Sequence, residues 1–222
     1  MILLRPAGSV LIALLPAIAL GLAAIPHFHD GLAVDAAVPV PTYMIAQKQM
    51  PKAAYDDAQI ALRGADSRNG SAMIAGAEAA LRGGKPPASQ IHALTQGLLR
   101  QPASIRGWML LSEAWSPVNK AKAASAISLA IVLAPHEYWL AGQRVLHAAL
   151  LWPDLDADTQ ASALEQTRML WEEPILHDQL RIVLASKAGV VIATKAFAGR
   201  QDEVREMNRW LTYVRSRDSV AK

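Results

Sequence analysis

From residue 52 onward, glycine and proline recur at intervals too short for any regular element to run far. The breakers are Gly64, Gly70, the run Gly83-Gly84-Lys85-Pro86-Pro87, Pro102, Pro117, Pro135, Pro153 and Pro174. Proline removes a backbone donor and clashes with the preceding turn, and glycine costs chain entropy inside an element, so each position marks a boundary. The stretches between them are helical in pattern. With 52% hydrophobic but only 5% aromatic residues, the chain favours helices packed closely through small side chains over stacked sheets. The breakers place helices near 52–65, 71–82, 88–100, 104–115, 119–133, 137–151, 157–172, 175–197 and 201–216. Short connections between them imply antiparallel neighbours, and the expected fold class is all-α.

The residues before 52 read differently. Residues 7–26 carry no charge, follow Arg5, and are followed by His27, His29, Asp30 and Asp35. The length of this run suits a helix crossing the hydrocarbon of a bilayer, and its flanking charges predict an N-terminus on the cytoplasmic side. Small residues at Gly21-Leu22-Ala23 and Val34-Asp35-Ala36 also fit cleavage by a signal peptidase. We therefore expect a transmembrane anchor or signal segment over 1–26. A proline- and alanine-rich linker over 27–51, containing Pro39 and Pro41, leads to a helical domain over 52–222.

The chain has no cysteine, which excludes disulfides, thiol nucleophiles, cysteine-held zinc and a lipidated cysteine. Its 22 basic and 19 acidic residues leave a net charge of +3, too little to define a nucleic-acid surface once salt screens it. No nucleic-acid partner is expected.

The most informative stretch runs from Pro102 to Pro135. Trp108, Leu111, Ser112 and Trp115 fall at i, i+3, i+4 and i+7, on one face of a helix. After Ser116-Pro117, Ala123, Ile127 and Ala130 share a face of the next helix. Small residues at Ala123 and Ala130 let two antiparallel helices approach, with Trp108 and Trp115 filling the space between them.

This stretch resembles the tetratricopeptide repeat, in which W-x-x-L-G-x-x-Y is followed by A-x-x-x-F and then P. The matching positions are Trp108, Leu111, Ser112, Trp115, Ala123, Ile127 and Pro135. Ser stands for Gly, Trp for Tyr and Ile for Phe, and the loop between the helices is one residue short. Echoes of the first-helix spacing occur at Tyr138, Ala141, Gly142 and Val145, and at Ala72, Ala75, Gly76 and Ala79. The resemblance implies antiparallel hairpins stacked as a short α-solenoid or irregular bundle, with a surface that binds peptides or protein partners and no catalysis.

Later helices carry similar signals. Asp156 is the expected N-cap of a helix whose face includes Leu164, Arg168 and Trp171. Near the end, Val204, Met207, Leu211 and Val214 form a stripe on an amphipathic helix, with Arg205, Arg209 and Arg215 mainly off it.

Several constellations suggest chemistry. His27 and His29 with Asp30 have ligand-type side chains, but their spacing converges only on a strand or loop, and no further ligands accompany them. His92, His136, His147 and His177 are scattered, and no nucleophile motif accompanies them. Glu172-Glu173 and the Asp154, Asp156, Asp158 series suit acid–base work or calcium, yet the series lacks the turn glycine and terminal glutamate of a calcium loop. The Gly83–Pro87 run lacks the spacing of a phosphate-binding loop. Of the six tryptophans, Trp139 and Trp152 lie near helix ends and are the expected exposed pair, candidates for protein binding.

The resulting expectation is a non-enzymatic scaffold, free of cofactor and metal. It is anchored in a bacterial inner membrane by its N-terminal helix, with its helical domain in the periplasm. There it would bind other envelope proteins, in polysaccharide synthesis, export or secretion. The alternative is a small envelope glycan-processing enzyme using helix-borne carboxylates.

Overall fold

The computed structural model describes residues 52–62, 69–135 and 137–220. The apolar run and linker of the sequence reading lie outside these residues, as do His27, His29 and His136. The described residues form ten α-helices and four single-turn 3-10 helices, with no strand among them, so the fold is all-α. No helix among them is long and apolar enough to cross a membrane. They fall into two compact units: one built from residues up to Pro86 and from His92–Pro102, the other from Pro87–Ile91 and from Ala103 onward.

The first unit contains α1 (Lys52–Leu62), α2 (Gly70–Arg82) and most of α3 (Ile91–Arg100). Helix α2 begins where the Asn69 side chain accepts a hydrogen bond from the Ala72 amide at 3.1 Å, satisfying one orphan donor of its first turn. It crosses α3 at a pair of glycines. A Cβ at Gly70 would lie 2.7 Å from the Gly97 carbonyl oxygen, so only bare backbone allows this approach. Ile74, Ala77, Ala79, Leu94 and Leu98 are buried in this unit.

In the second unit, the 3-10 turn Pro87–Gln90 packs on α4 (Ile105–Trp115). Helix α4 pairs in turn with α5 (Lys120–Leu133). Ser104 and Asn119 cap their N-termini by accepting from the amides of Gly107 and Lys122. This is the hairpin predicted from the Pro102–Pro135 spacing. Ala123, Ile127 and Ala130 are fully buried, and Ser112, at the position where a small residue was expected, donates its hydroxyl to the Ala123 carbonyl at 2.9 Å. Trp108 and Trp115 lie half-buried against the core, and the Lys122 ammonium sits 4.3 Å from the Trp115 ring centre, a cation–π contact.

The remaining helices are α6 (Ala141–Leu150), α7 (Ala157–Glu172), α8 (His177–Leu184), α9 (Lys187–Ala196) and α10 (Gln201–Val220). Helix α7 packs on α6 and α9, and α8 packs on α6. Met207 and Leu211 attach α10 to the same core, while Val204 of the expected stripe is exposed.

The helix expected over 175–197 is two helices. Ser186 starts α9 by accepting from the Gly189 amide at 2.9 Å, and a Cβ at Gly189 would fall 1.8 Å from the Val183 carbonyl oxygen. The elbow therefore requires glycine at that position. The helix expected from 137 begins instead with a 3-10 turn, Tyr138–Leu140, before α6. No side chain of its own segment caps α6; Gln179 of α8 accepts from the Gly142 amide at 2.9 Å in that role.

Candidate functional site

A groove of about 570 Å³ opens between the C-terminal end of α5 and one face of α7. Its apolar side is made by Ile131 and Val132 of α5, Pro135 and Tyr138 of the following segment, and Met169 of α7. Ser162, Glu165, Gln166, Met169 and Glu172 line it from α7, at the spacing that places residues on one helical face. Arg168 and Arg200 complete the lining.

Helix α5 explains the apolar side. After Ala126 its sequence is apolar around most of its circumference, a pattern that normally signals full burial. Ile127, Ala130 and Ile131 are buried as that predicts, whereas Leu129, Val132 and Leu133 are 42%, 70% and 44% exposed. The exposed residues fall at i, i+3 and i+4, so they form an outer stripe whose edge, Val132, is part of the groove.

The segment that forms the groove's end is pinned from behind by two long side chains. Arg144 of α6 donates from Nη2 to the Glu137 carbonyl at 3.0 Å. Gln179 of α8 donates from Nε2 to the Tyr138 carbonyl at 2.8 Å, while its Oε1 holds Gly142. Both ends of the Gln179 amide are thereby used.

The polar rim is also organised. Arg168 donates from Nε to the Ala196 carbonyl at 2.9 Å, placing a cation at the C-terminus of α9, where the helix dipole favours it. Arg200 lies 3.3 Å from Glu172 and 3.4 Å from Glu203. Arg144, which donates from Nε to Oε1 of the groove residue Gln166 at 3.1 Å, is fully buried. Desolvation lowers its pKa to about 10, against an opposing pull from Glu137, so the guanidinium remains charged at neutral pH.

The residues singled out in the sequence are distributed as follows. Trp139 is 64% exposed, with its indole N–H donated to the Glu137 carboxylate at 2.8 Å. Trp152, expected to be exposed, is half-buried against the core, because it sits in a 3-10 turn whose carbonyl is tied down by Gln160. Neither tryptophan lines the groove. Asp154, Asp156 and Asp158 are exposed, and Asp156 is the N-cap of α7, accepting from the Thr159 amide at 2.7 Å. Glu172 reaches the groove and Glu173 does not.

Lys85 and Gly84 complete the C-terminal stop of α2, their amides donating to the carbonyls of Ala80 and Leu81. Gly84 has φ +85, and together these features form a Schellman motif. Among the described residues, no group of three or more His, Cys, Asp or Glu is placed to hold a metal ion.

Gln166, Arg144 and Gln179 were not singled out by sequence reasoning. Long polar residues on a helix are ordinarily solvated, and nothing in their spacing marks them as buried. Comparison with protein-family models, with curated proteins and with solved structures finds no match.

Proposed function

We propose that this chain is a scaffold protein of the bacterial envelope. In this reading residues 7–26 hold it in the inner membrane, and a tetratricopeptide-like helical part in the periplasm binds segments of other envelope proteins. The observation that carries the reading is the groove between α5 and α7, bordered by the exposed stripe Leu129, Val132 and Leu133. Exposed apolar side chains on a helix otherwise packed into a core are a feature of partner surfaces. The pinned Glu137–Tyr138 segment makes the groove a formed surface in the free protein, which lowers the ordering cost of binding.

The test is photocrosslinking in cells with the full-length chain, carrying benzoylphenylalanine in place of Val132, Met169 or, as a control, the exposed Asp158. The expected result is one and the same exported or membrane protein attached from Val132 and Met169, not from Asp158, and lost when Tyr138→Asp is added. Equal attachment from all three positions, or from none, would reject the reading.

A glycan-processing enzyme is the second reading. Its supporting observation is that Glu165 and Glu172 both line the groove. It requires Glu172→Gln to abolish turnover of an envelope glycan.

A further inference from the structure

Asn69 and Gly70 form the first joint of α2. Asparagine followed by glycine is a chemically labile pair, because the Gly70 nitrogen can attack the Asn69 side-chain amide carbon and no side chain at residue 70 shields it. In that step the Gly70 N–H gives its proton to a solvent base and an N–Cγ bond forms. The Cγ–Nδ2 bond breaks, and ammonia leaves after taking a proton back from solvent. Water then opens the five-membered succinimide at one of its two carbonyls. One opening leaves aspartate; the other leaves isoaspartate, in which the main chain runs through Cβ and Cγ and is one carbon longer.

The fold holds this joint in a shape that does not react. Ring closure needs the Gly70 nitrogen and the Asn69 Cβ on the same side of the Asn69 Cα–C bond. At the observed ψ of 106, tetrahedral geometry at Cα turns the two well apart. Three attachments keep ψ there. The Asn69 side-chain oxygen accepts from the Ala72 amide at 3.1 Å, and its main-chain oxygen accepts from the Met73 amide at 3.1 Å. Ser71, next along, donates its hydroxyl to Gln101 Oε1 at 2.6 Å. Gly70 itself lies so close to the end of α3 that a Cβ there would meet the Gly97 carbonyl oxygen at 2.7 Å and the Cβ atoms of Arg100 and Gln101 at 3.1 Å. The peptide plane has no room to rotate at this crossing, so ring closure must wait until the first turn of α2 separates from α3.

We propose that Asn69-Gly70 is a deamidation site gated by the α2–α3 crossing, reacting only in chains whose crossing has opened and, through isoaspartate, keeping it open. Local opening of this kind costs less free energy than global unfolding. The aspartate product still caps α2, since Asp serves at the N-cap as well as Asn does. The isoaspartate product does not restore the crossing. Its extra main-chain carbon displaces Gly70 from the position at which bare backbone passes Gly97, so a brief opening leaves a permanent covalent mark.

The full-length chain in detergent micelles at mildly alkaline pH provides the test, aged with and without enough guanidinium to unfold it. Mass spectrometry of the peptide carrying Asn69 follows loss of the amide, and electron-transfer fragmentation separates isoaspartate from aspartate. Conversion is expected to be about tenfold or more slower in the folded chain. Gly97→Ala puts a methyl 2.8 Å from Ile74 Cγ1 and 3.1 Å from the Gly70 oxygen. It is expected to speed conversion of the folded chain about fivefold or more, with the unfolded rate unchanged. Gln101→Ala removes only the acceptor for Ser71 and is expected to speed it about twofold, which reads the same gate if Gly97→Ala does not fold. His177→Ala removes ring contacts of the second unit and is expected to leave the rate unchanged. The Met73 amide is expected to lose its protection from hydrogen exchange in the isoaspartate form and to keep it in Asn69→Asp.

Equal rates in the folded and unfolded chain, or no acceleration in either Gly97→Ala or Gln101→Ala, would overturn the gate. Acceleration by His177→Ala as large as by Gly97→Ala would assign the reaction to global unfolding and overturn it as well. Protection retained at Met73 in the isoaspartate form would overturn its part in keeping the crossing open.

Discussion

Trp171 and His177 stack with ring centroids 5.0 Å apart and planes 12° from parallel, and His177 Nε2 lies 2.9 Å from the Trp171 carbonyl oxygen. The carbonyl only accepts, so Nε2 carries the hydrogen. That carbonyl lies in the last turn of α7, where no intrahelical partner exists. The same histidine ring contacts Trp210 of α10, with centroids 5.0 Å apart, so one side chain closes α7 and joins it to the final helix.

His177→Phe keeps an aromatic ring and removes the donor. It is expected to cost about 1 kcal/mol, the net worth of one hydrogen bond. His177→Ala also loses the ring contacts and is expected to cost about 1 kcal/mol more. Urea unfolding followed by tryptophan fluorescence measures both, and equal losses in the two variants would show that the ring contacts contribute nothing beyond the hydrogen bond.

The buried Arg144–Gln166 pair calls for a double-mutant cycle. Arg144→Met strands the Gln166 oxygen and the Glu137 carbonyl and is expected to destabilise by about 2–4 kcal/mol. Arg144→Met with Gln166→Met replaces both polar partners by side chains of similar length and is expected to recover at least about 1 kcal/mol of that loss. Simple additivity of the two single substitutions would refute the coupling.

Gln179 is expected to matter beyond its modest burial, because α6 has no local cap. Gln179→Leu removes the acceptor for Gly142 and the donor to Tyr138, at a cost of about 1–3 kcal/mol. Hydrogen exchange should speed up at the Gly142 amide before it does at Ala123. Protection that stays unchanged at Gly142 would remove Gln179 from this role.

Asp156 gives the α7 cap an acid-side signature. The Thr159 amide and then its hydroxyl hold the carboxyl below its ordinary value of 3.8. A carboxyl lowered in the folded state stabilises fully above the unfolded pKa, and that contribution disappears as pH falls through the lower folded value. Asn also caps helices, so Asp156→Asn should match the parent protein most closely in strong acid and fall behind it as pH rises above the carboxylate range. Parallel Tm curves from pH 2 to 6, taken as about the span of ordinary carboxyl titration, would contradict the assignment.

Much of the fold was legible because its rules are local. Ser104, Asn119 and Asp156 cap the helices that follow them, and Ala123, Ile127 and Ala130 face the core in the register their spacing predicts. The α8–α9 elbow is hidden because Leu180, Leu184, Ala188 and Ile192 keep an i, i+4 spacing straight across the break, which reads as one continuous helical face. Only Ser186 with Gly189 three residues later marks the elbow, and that signal is short. The groove was illegible for a different reason. Gln166, Thr159 and Thr167 form part of the buried face of α7, so the polarity of that helix gives the wrong side. Tryptophans drew attention as candidate anchors, yet the groove is lined by a valine, a methionine and a tyrosine whose exposure depends on neighbours distant in sequence.

The Ser112–Ala123 hydrogen bond spans 11 residues, whereas the bonds Gln179 makes across the helices span 37 and 41. Closing a short loop costs less chain entropy than closing a long one. Within the second unit the α4–α5 hairpin is therefore the piece that can assemble first, with Val132 already on its outer side. The other wall of the groove arrives only when α7 docks, so the recess is among the last features of the second unit to take shape.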